Sequence, residues 1–208
     1  MGRIIGPACK LCRREGEKLF LKGSRCESAK CAILRKNYAP GIHGSKGSFG
    51  QKSEYTKQLR EKQKAKRIFG IGEKQFHNYY TTANTKPGVT GDVFLRMLEL
   101  RLDNVTYRAG FAVSRKQARE IVAHGLLKVN GRRVKTPSYS LKVGSVVEPT
   151  PQAKKSVLFT ELNKKKDQSP KWLKVDLKAP SFEVISLPDK NDLQQNITAQ
   201  MIVELYSK

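Results

Sequence analysis

The sequence predicts an α+β fold on three observations. Apolar residues recur at helical spacing through residues 53–104. A capped helix, a glycine stop and a tight hairpin then follow one another within residues 111–134. Short apolar-alternating segments return at 139–147 and 172–187, the pattern of a small antiparallel sheet closing on that hairpin.

The helices come first. Residues 53–69 read as a helix rich in Lys, Arg and Gln, with Tyr55, Leu59 and Ile68 hinting at one apolar side. Glu61 is the one acid in its second half, so the rest of the surface predicts an RNA-facing basic face rather than an ordinary solvated one. Residues 73–83 form a second helix, with Phe76, Tyr79 and Tyr80 at core-like spacing. Thr90 caps a third that runs to about residue 104 on the stripe Val93, Phe94, Met97, Leu98, Leu102 and Val105.

Residues 111–134 are the most specific stretch. Ser114 and Gln117 make a capping box. Ala118, Ile121 and Val122 bury one face, so Arg115, Lys116 and Arg119 point to solvent or to a ligand. Gly125 ends the helix. Asn130-Gly131 is the preferred pair for a two-residue hairpin turn, and Arg132 and Arg133 begin the return strand. Beyond it, strands are expected at 139–143 and 146–147, a break at 149–151, a helix over 153–163 with a basic run Lys164–Lys166, strands at 172–177 and 182–187, and a short amphipathic helix at the C-terminus that must dock to be ordered.

Charge bounds the partners. Among 208 residues, 41 are Lys or Arg and 18 are Asp or Glu, a formal net charge of +23. So large a charge repels itself and calls for a polyanion, nucleic acid before an anionic membrane surface. No apolar run approaches the ~20 residues of a membrane-spanning helix, and the first residues lack the apolar core of a signal peptide. Pro40-Gly41, Gly44, Gly47 and Gly50 mark a basic loop around His43.

The four cysteines all lie in the irregular first fifty residues, as Cys9-x-x-Cys12 followed by Cys26 and Cys31. Two close pairs suit a closed tetrahedral thiolate site, and a bound metal would supply folding free energy that so few apolar residues cannot. Disulfides fit poorly without a secretory signal; unliganded thiols are the remaining alternative. Zinc is the default ion, and a [4Fe–4S] cluster takes the same four thiolates. Four sulfur ligands leave no open position for catalysis. The histidines, His43, His77 and His124, sit in no nucleophile or metal motif, and no paired acid and base supports an enzyme or a small-molecule substrate. Asp103 reads as a local cap or a salt-bridge partner.

These motifs, in this order, resemble the small-subunit ribosomal protein S-four family. The residues that carry the resemblance are the four cysteines, Tyr38-x-Pro40-Gly41-x-His43-Gly44, Leu59-Arg60-Glu61-Lys62-Gln63-Lys64, Arg101-Leu102-Asp103-Asn104-Val105, Ser114-Arg115-x-Gln117-Ala118-Arg119, Val129-Asn130-Gly131, Pro188-Asp189 and Glu204-Leu205-Tyr206-Ser207. The helix-hairpin alone also occurs in pseudouridine synthases, some tRNA synthetases and stress proteins, so an RNA-modifying enzyme or a tRNA-handling factor is the alternative. The resemblance implies a mostly helical, metal-stapled domain over 1–92, completed by 189–208, and an RNA-binding domain over 93–188 with its core module at 99–150. It implies a structural role in the small subunit of the cytoplasmic ribosome, without catalysis. The protein would bind small-subunit rRNA at a helix junction and nucleate assembly. It would neighbour ribosomal proteins S-five and S-three where mRNA enters, and bear on decoding accuracy. The candidate RNA contacts are Lys10, Arg13, Arg14, Arg35, Lys36 and His43; Arg60, Lys62, Lys64, Lys66 and Arg67; and Arg108, Ser114, Arg115, Lys116, Arg119, His124, Asn130, Arg132 and Arg133.

Overall fold

Glycines and local caps punctuate the helices of the computed structural model, which describes residues 6–47, 53–154, 156, 169–176, 180–194 and 196–207. The chain divides into two compact units, Met1–Phe94 with Gln194–Lys208, and Leu95–Leu193.

In the first unit, α1 (Ala8–Glu15) stops at Gly16, whose φ of 78° is left-handed and whose N–H donates to Cys12 O. Two single-turn helices follow, α2 (Ser24–Glu27) and α3 (Ala32–Arg35). Helix α4 (Glu54–Phe69) is capped by Ser53, which accepts from the Thr56 N–H. Then come α5 (Glu73–Asn84) and α6 (Thr90–Glu99), the latter starting at Thr90 rather than after it, since the Val93 N–H already donates to Val89 O. The core gathers Ala65, Ile68, Phe69, Phe76, Ala83, Phe94 and Ile202, with Phe76 and Phe94 edge to face at 5.0 Å.

The last helix, α10 (Ala199–Ser207), docks along α4, as its amphipathic pattern requires. At Gly91 the chain passes close enough that a Cβ would lie 3.0 Å from the Ala199 Cβ. Gln58 donates to Glu204 at 2.9 Å, and Glu61 accepts from the Thr198 N–H at 2.7 Å. Glu73 collects three donors, Lys62 at 2.7 Å, Lys66 at 2.5 Å and the Tyr206 hydroxyl at 2.9 Å. The Tyr206 ring also meets Tyr80 at 4.8 Å.

In the second unit, α7 (Leu102–Arg108) and α8 (Arg115–Ala123) lie over a five-stranded antiparallel sheet in the order β2-β1-β3-β5-β4. The strands are β1 (Leu127–Val129), β2 (Arg132–Val134), β3 (Val146–Pro149), β4 (Leu173–Asp176) and β5 (Ser181–Val184), with a one-turn α9 (Pro151–Lys154) after β3. The core runs through Leu102, Val105, Phe111, Ile121, Val122, Leu127, Val147, Trp172 and Phe182. Asn130 and Gly131 both hold positive φ, 48° and 79°, the signature of a type I′ turn. The Asn130 amide oxygen also accepts from the Val146 N–H at 2.9 Å, so the turn is bound to β3 as well.

Two expectations change and a third lies mostly beyond the described residues. The single helix predicted over 90–104 is two helices, broken at an extended Arg101 (φ −68°, ψ 139°). Segment 139–143, expected as a strand, fills that break. The Leu102 N–H donates to Tyr139 O at 2.8 Å, the Leu141 N–H to Leu100 O at 2.9 Å, and Arg101 and Ser140 form one isolated bridge. The apolar period runs unbroken across the joint, so periodicity could not reveal it. Of the helix expected over 153–163, residues 153 and 154 end α9, while most of the remainder and the run Lys164–Lys166 lie outside the described residues.

Glu73 carries a pH prediction. Burial raises its carboxyl, but the hydrogen bonds from Lys62, Lys66 and Tyr206 outweigh that and hold it at about 2, below the ordinary 4.5. A depressed carboxylate stabilises the fold fully above its unfolded value and loses that contribution as pH falls toward the folded one. Stability followed by urea unfolding should therefore drop between pH 4.5 and about 2, and Glu73→Gln should flatten the drop. Equal acid sensitivity in both proteins would refute this role of the Glu73 cluster.

Candidate nucleic-acid interface

The cysteines are placed by the N-terminal helices. Cys9 and Cys12 sit one turn apart on α1, Cys26 lies within α2, and Cys31 precedes the first residue of α3. None is in a disulfide; Cys12, Cys26 and Cys31 are buried and Cys9 is half-buried. The Lys22 N–H donates to the Cys26 sulfur at 3.4 Å. Burial pushes the Cys12 thiol up, the Leu19 N–H pulls it down, and the other three sulfurs are near enough to add to the rise. The donor set suits a closed tetrahedral metal site in kind. Among the described residues no group of three or more His, Cys, Asp or Glu side chains stands as a ready metal site.

Around this knob the cations divide. Arg13 is half-buried and turned onto the chain, donating to Tyr38 O at 2.9 Å and Ala39 O at 3.3 Å with its guanidinium 4.6 Å from the Tyr38 ring centre. Lys10, Arg14, Arg35, Lys36 and His43 are exposed.

Helix α4 differs more sharply from its sequence reading. Each cation proposed there has an acidic neighbour. Arg67 and Arg60 meet Glu15, Arg60 at 3.9 Å. Lys64 pairs with Glu61 at 2.9 Å and Glu17 at 3.5 Å. Lys62 and Lys66 pair with Glu73. The Glu15 side chain is only 3% exposed, and its burial raises the carboxyl despite Arg67 and Arg60. Glu61 is the one acid in that half of the helix, but Glu15, Glu17 and Glu73 arrive from elsewhere in the chain.

The second unit repeats the division around two buried carboxylates. Arg101, itself buried, holds Asp103 with two hydrogen bonds of 3.0 and 2.7 Å. Asp103 also accepts from the Asn104 N–H at 2.9 Å and from Arg119 at 3.4 Å. This bears out its reading as a salt-bridge partner. Glu99, fully buried, takes two hydrogen bonds from Arg108 (3.1 and 2.7 Å) and one from the Asn104 amide at 2.5 Å. Burial works against the Arg108 charge, but Glu99 outweighs it and raises the guanidinium above its ordinary value. Arg115 donates to the Asn104 amide oxygen at 2.6 Å and lies 4.7 Å over the Tyr107 ring. Burial lowers its guanidinium.

Arg115 and Arg119 therefore reach Asn104 and Asp103, where the sequence pointed them to solvent or a ligand. Lys116 between them is exposed. Ser114 caps α8 at the Gln117 N–H, and Gln117 returns an oxygen to the Val113 N–H at 2.8 Å, one residue before the expected partner. Arg133 folds back onto Gly125 O at 2.7 Å and His124 O at 3.1 Å. A Cβ on Gly125 would lie 2.7 Å from the Arg133 Nε, and Gly125 has a φ of 66°, so any other residue there is strained and displaces the Arg133 side chain. His124, Arg132 and Lys135 are exposed, and Lys135 belongs with them although its place just past the hairpin drew no notice in the sequence. Glu99 also went unnoticed, and Arg101 was named only as part of a motif; both look like ordinary helix-surface charges until the break places them inside.

Comparison with known proteins matches this architecture piece by piece. Residues 3–99 match the Ribosomal protein S4/S9 N-terminal domain family, and residues 100–147 match the S4 domain. The chain is 50% identical over 210 residues to the Small ribosomal subunit protein uS4 of Desulfitobacterium hafniense, covering all of both chains. It is 49% identical over 211 residues to the protein of that name from Thermus thermophilus, and 49% over 210 residues to that of Nitrosospira multiformis, again end to end. The chain belongs to the uS4 family of small ribosomal subunit proteins.

Proposed function

We propose that this protein is a structural constituent of the small subunit of the cytoplasmic ribosome that grips small-subunit rRNA at a helix junction and nucleates assembly there. The observation that carries the reading is end-to-end identity of about half with proteins named small ribosomal subunit protein uS4. The geometry supports it. Exposed cations stand on braced elements in both units, so phosphates are met with little ordering cost. A-form RNA hides its base edges, so such contacts read backbone shape. Among the described residues no helix is long and apolar enough to cross a membrane. The family resemblance alone extends the reading to ribosomal proteins S-five and S-three and to mRNA where it enters the subunit. No catalytic step belongs to it, and nothing favours the RNA-modifying alternative.

The test is affinity for a small-subunit rRNA fragment against salt. Log affinity should fall linearly with log salt as counterions are released, and Arg132→Ala should reduce the slope by roughly one. An affinity unchanged between low and moderate salt would contradict the reading.

Cys9, Cys12, Cys26 and Cys31 form the second part of the proposal. They would hold one structural metal ion, zinc by default, drawn together by binding; the ion would supply folding free energy to a segment with few apolar residues. Metal analysis of the purified protein should find about one zinc per chain, lost in Cys12→Ser. Iron and sulfide with visible absorption would assign a [4Fe–4S] cluster instead. A metal-free protein that folds equally well would end the idea.

A further inference from the structure

The loop formed by residues 36–47, after α3, has its shape set from beneath. Arg13 holds the carbonyls of Tyr38 and Ala39 and lies against the Tyr38 ring. Gly44 packs on the same turn, where a Cβ would fall 1.7 Å from Ala39 O, so no other residue fits. Gly41 and Gly47 hold φ of 111° and 75°, in the left-handed region. These constraints leave the loop's outward side chains free to serve another purpose.

The loop encloses a groove of about 550 Å³ whose lining includes Arg14, Asn37, Tyr38, Ile42 and His43. That volume lies within the ~300–1,000 Å³ typical of small-ligand sites. No acid lines it. Ile42 is 89% exposed. The groove thus offers one cation, one amide, two rings and the apolar side chains of Ala39, Pro40 and Ile42, together with backbone polar groups. A lone phosphate would use only the cation. A duplex keeps its bases stacked and their flat faces covered. An unpaired nucleotide matches every part: its phosphate suits Arg14, its flat face suits the rings and Ile42, and its polar edge suits Asn37 and the loop backbone.

We propose that this groove takes one unpaired nucleotide of the bound RNA, base and phosphate together. The inference rests on the rRNA-binding reading and adds base-level capture to contacts that otherwise follow backbone shape. His43 and Asn37 are exposed and outside the ion-pair clusters, so substituting them leaves the fold in place.

The test uses the full chain and a small-subunit rRNA fragment, with each unpaired nucleotide replaced in turn by an abasic linker. One abasic position should weaken wild-type binding by roughly tenfold, the scale of one base stacked on a side chain. His43→Ala should weaken binding to the intact RNA similarly, and should add no more than about twofold on the abasic RNA, because the two changes remove one contact. Arg14→Gln should lower the salt slope by about one. Fully additive effects at every position, or no sensitive position while tight binding persists, would overturn the groove and leave the rRNA reading standing. Failure of the wild-type chain to bind the fragment would overturn both.

Discussion

Two carboxylates buried in the second unit, Glu99 and Asp103, constrain much of what surrounds them. A charge in the interior is tolerated only when paired and hydrogen-bonded. Asp103 is therefore closed in by Arg101, Arg119 and the Asn104 N–H, and Glu99 by Arg108 and the Asn104 amide. Asn104 touches both carboxylates and Arg115. The network thus ties the break between α6 and α7 to the first turn of α8. Arg133 then ties the far end of α8 to the hairpin. Removing one partner from such a pair leaves a buried charge uncompensated, which typically costs about 3–5 kcal/mol.

This constraint sorts the cations of a chain with a net charge of +23. Some brace the fold: Arg101, Arg108, Arg115 and Arg119 in one unit; Arg13, Arg67, Lys62, Lys64 and Lys66 in the other. Others, such as Lys10, Arg14, Lys36, Lys116 and Arg132, stand exposed on the elements so braced. An anionic partner meets the second set with the geometry already held by the first. Basic composition does two jobs here, and only one of them needs RNA.

Local chemistry made part of this legible in the sequence. Asn130-Gly131 announced its turn because positive φ at two successive positions is a property of those residues alone. Ser114 announced its cap because its short side chain can accept the Gln117 N–H, although Gln117 returned its bond to Val113 rather than to the cap itself. What stayed hidden depends on distant parts of the chain. The apolar stripe from Val93 to Leu102 has no gap, so only the docking of Tyr139 and Leu141 shows that the helix stops. The basic face of α4 looked open because Glu15, Glu17 and Glu73 are not on that helix. The spacing of the cysteines brought them into one neighbourhood, but spacing does not say how closely the sulfurs approach.

The most direct test of this division compares Glu99→Ala with Lys116→Ala, each measured by urea unfolding and by rRNA affinity across salt. The inner substitution should lower stability by about 3–5 kcal/mol while the molecules that remain folded keep the wild-type salt slope. The outer one should leave stability within about 0.5 kcal/mol and reduce the slope by roughly one. A Glu99→Ala protein as stable as wild type, or a Lys116→Ala protein that loses stability and keeps its salt slope, would contradict the account.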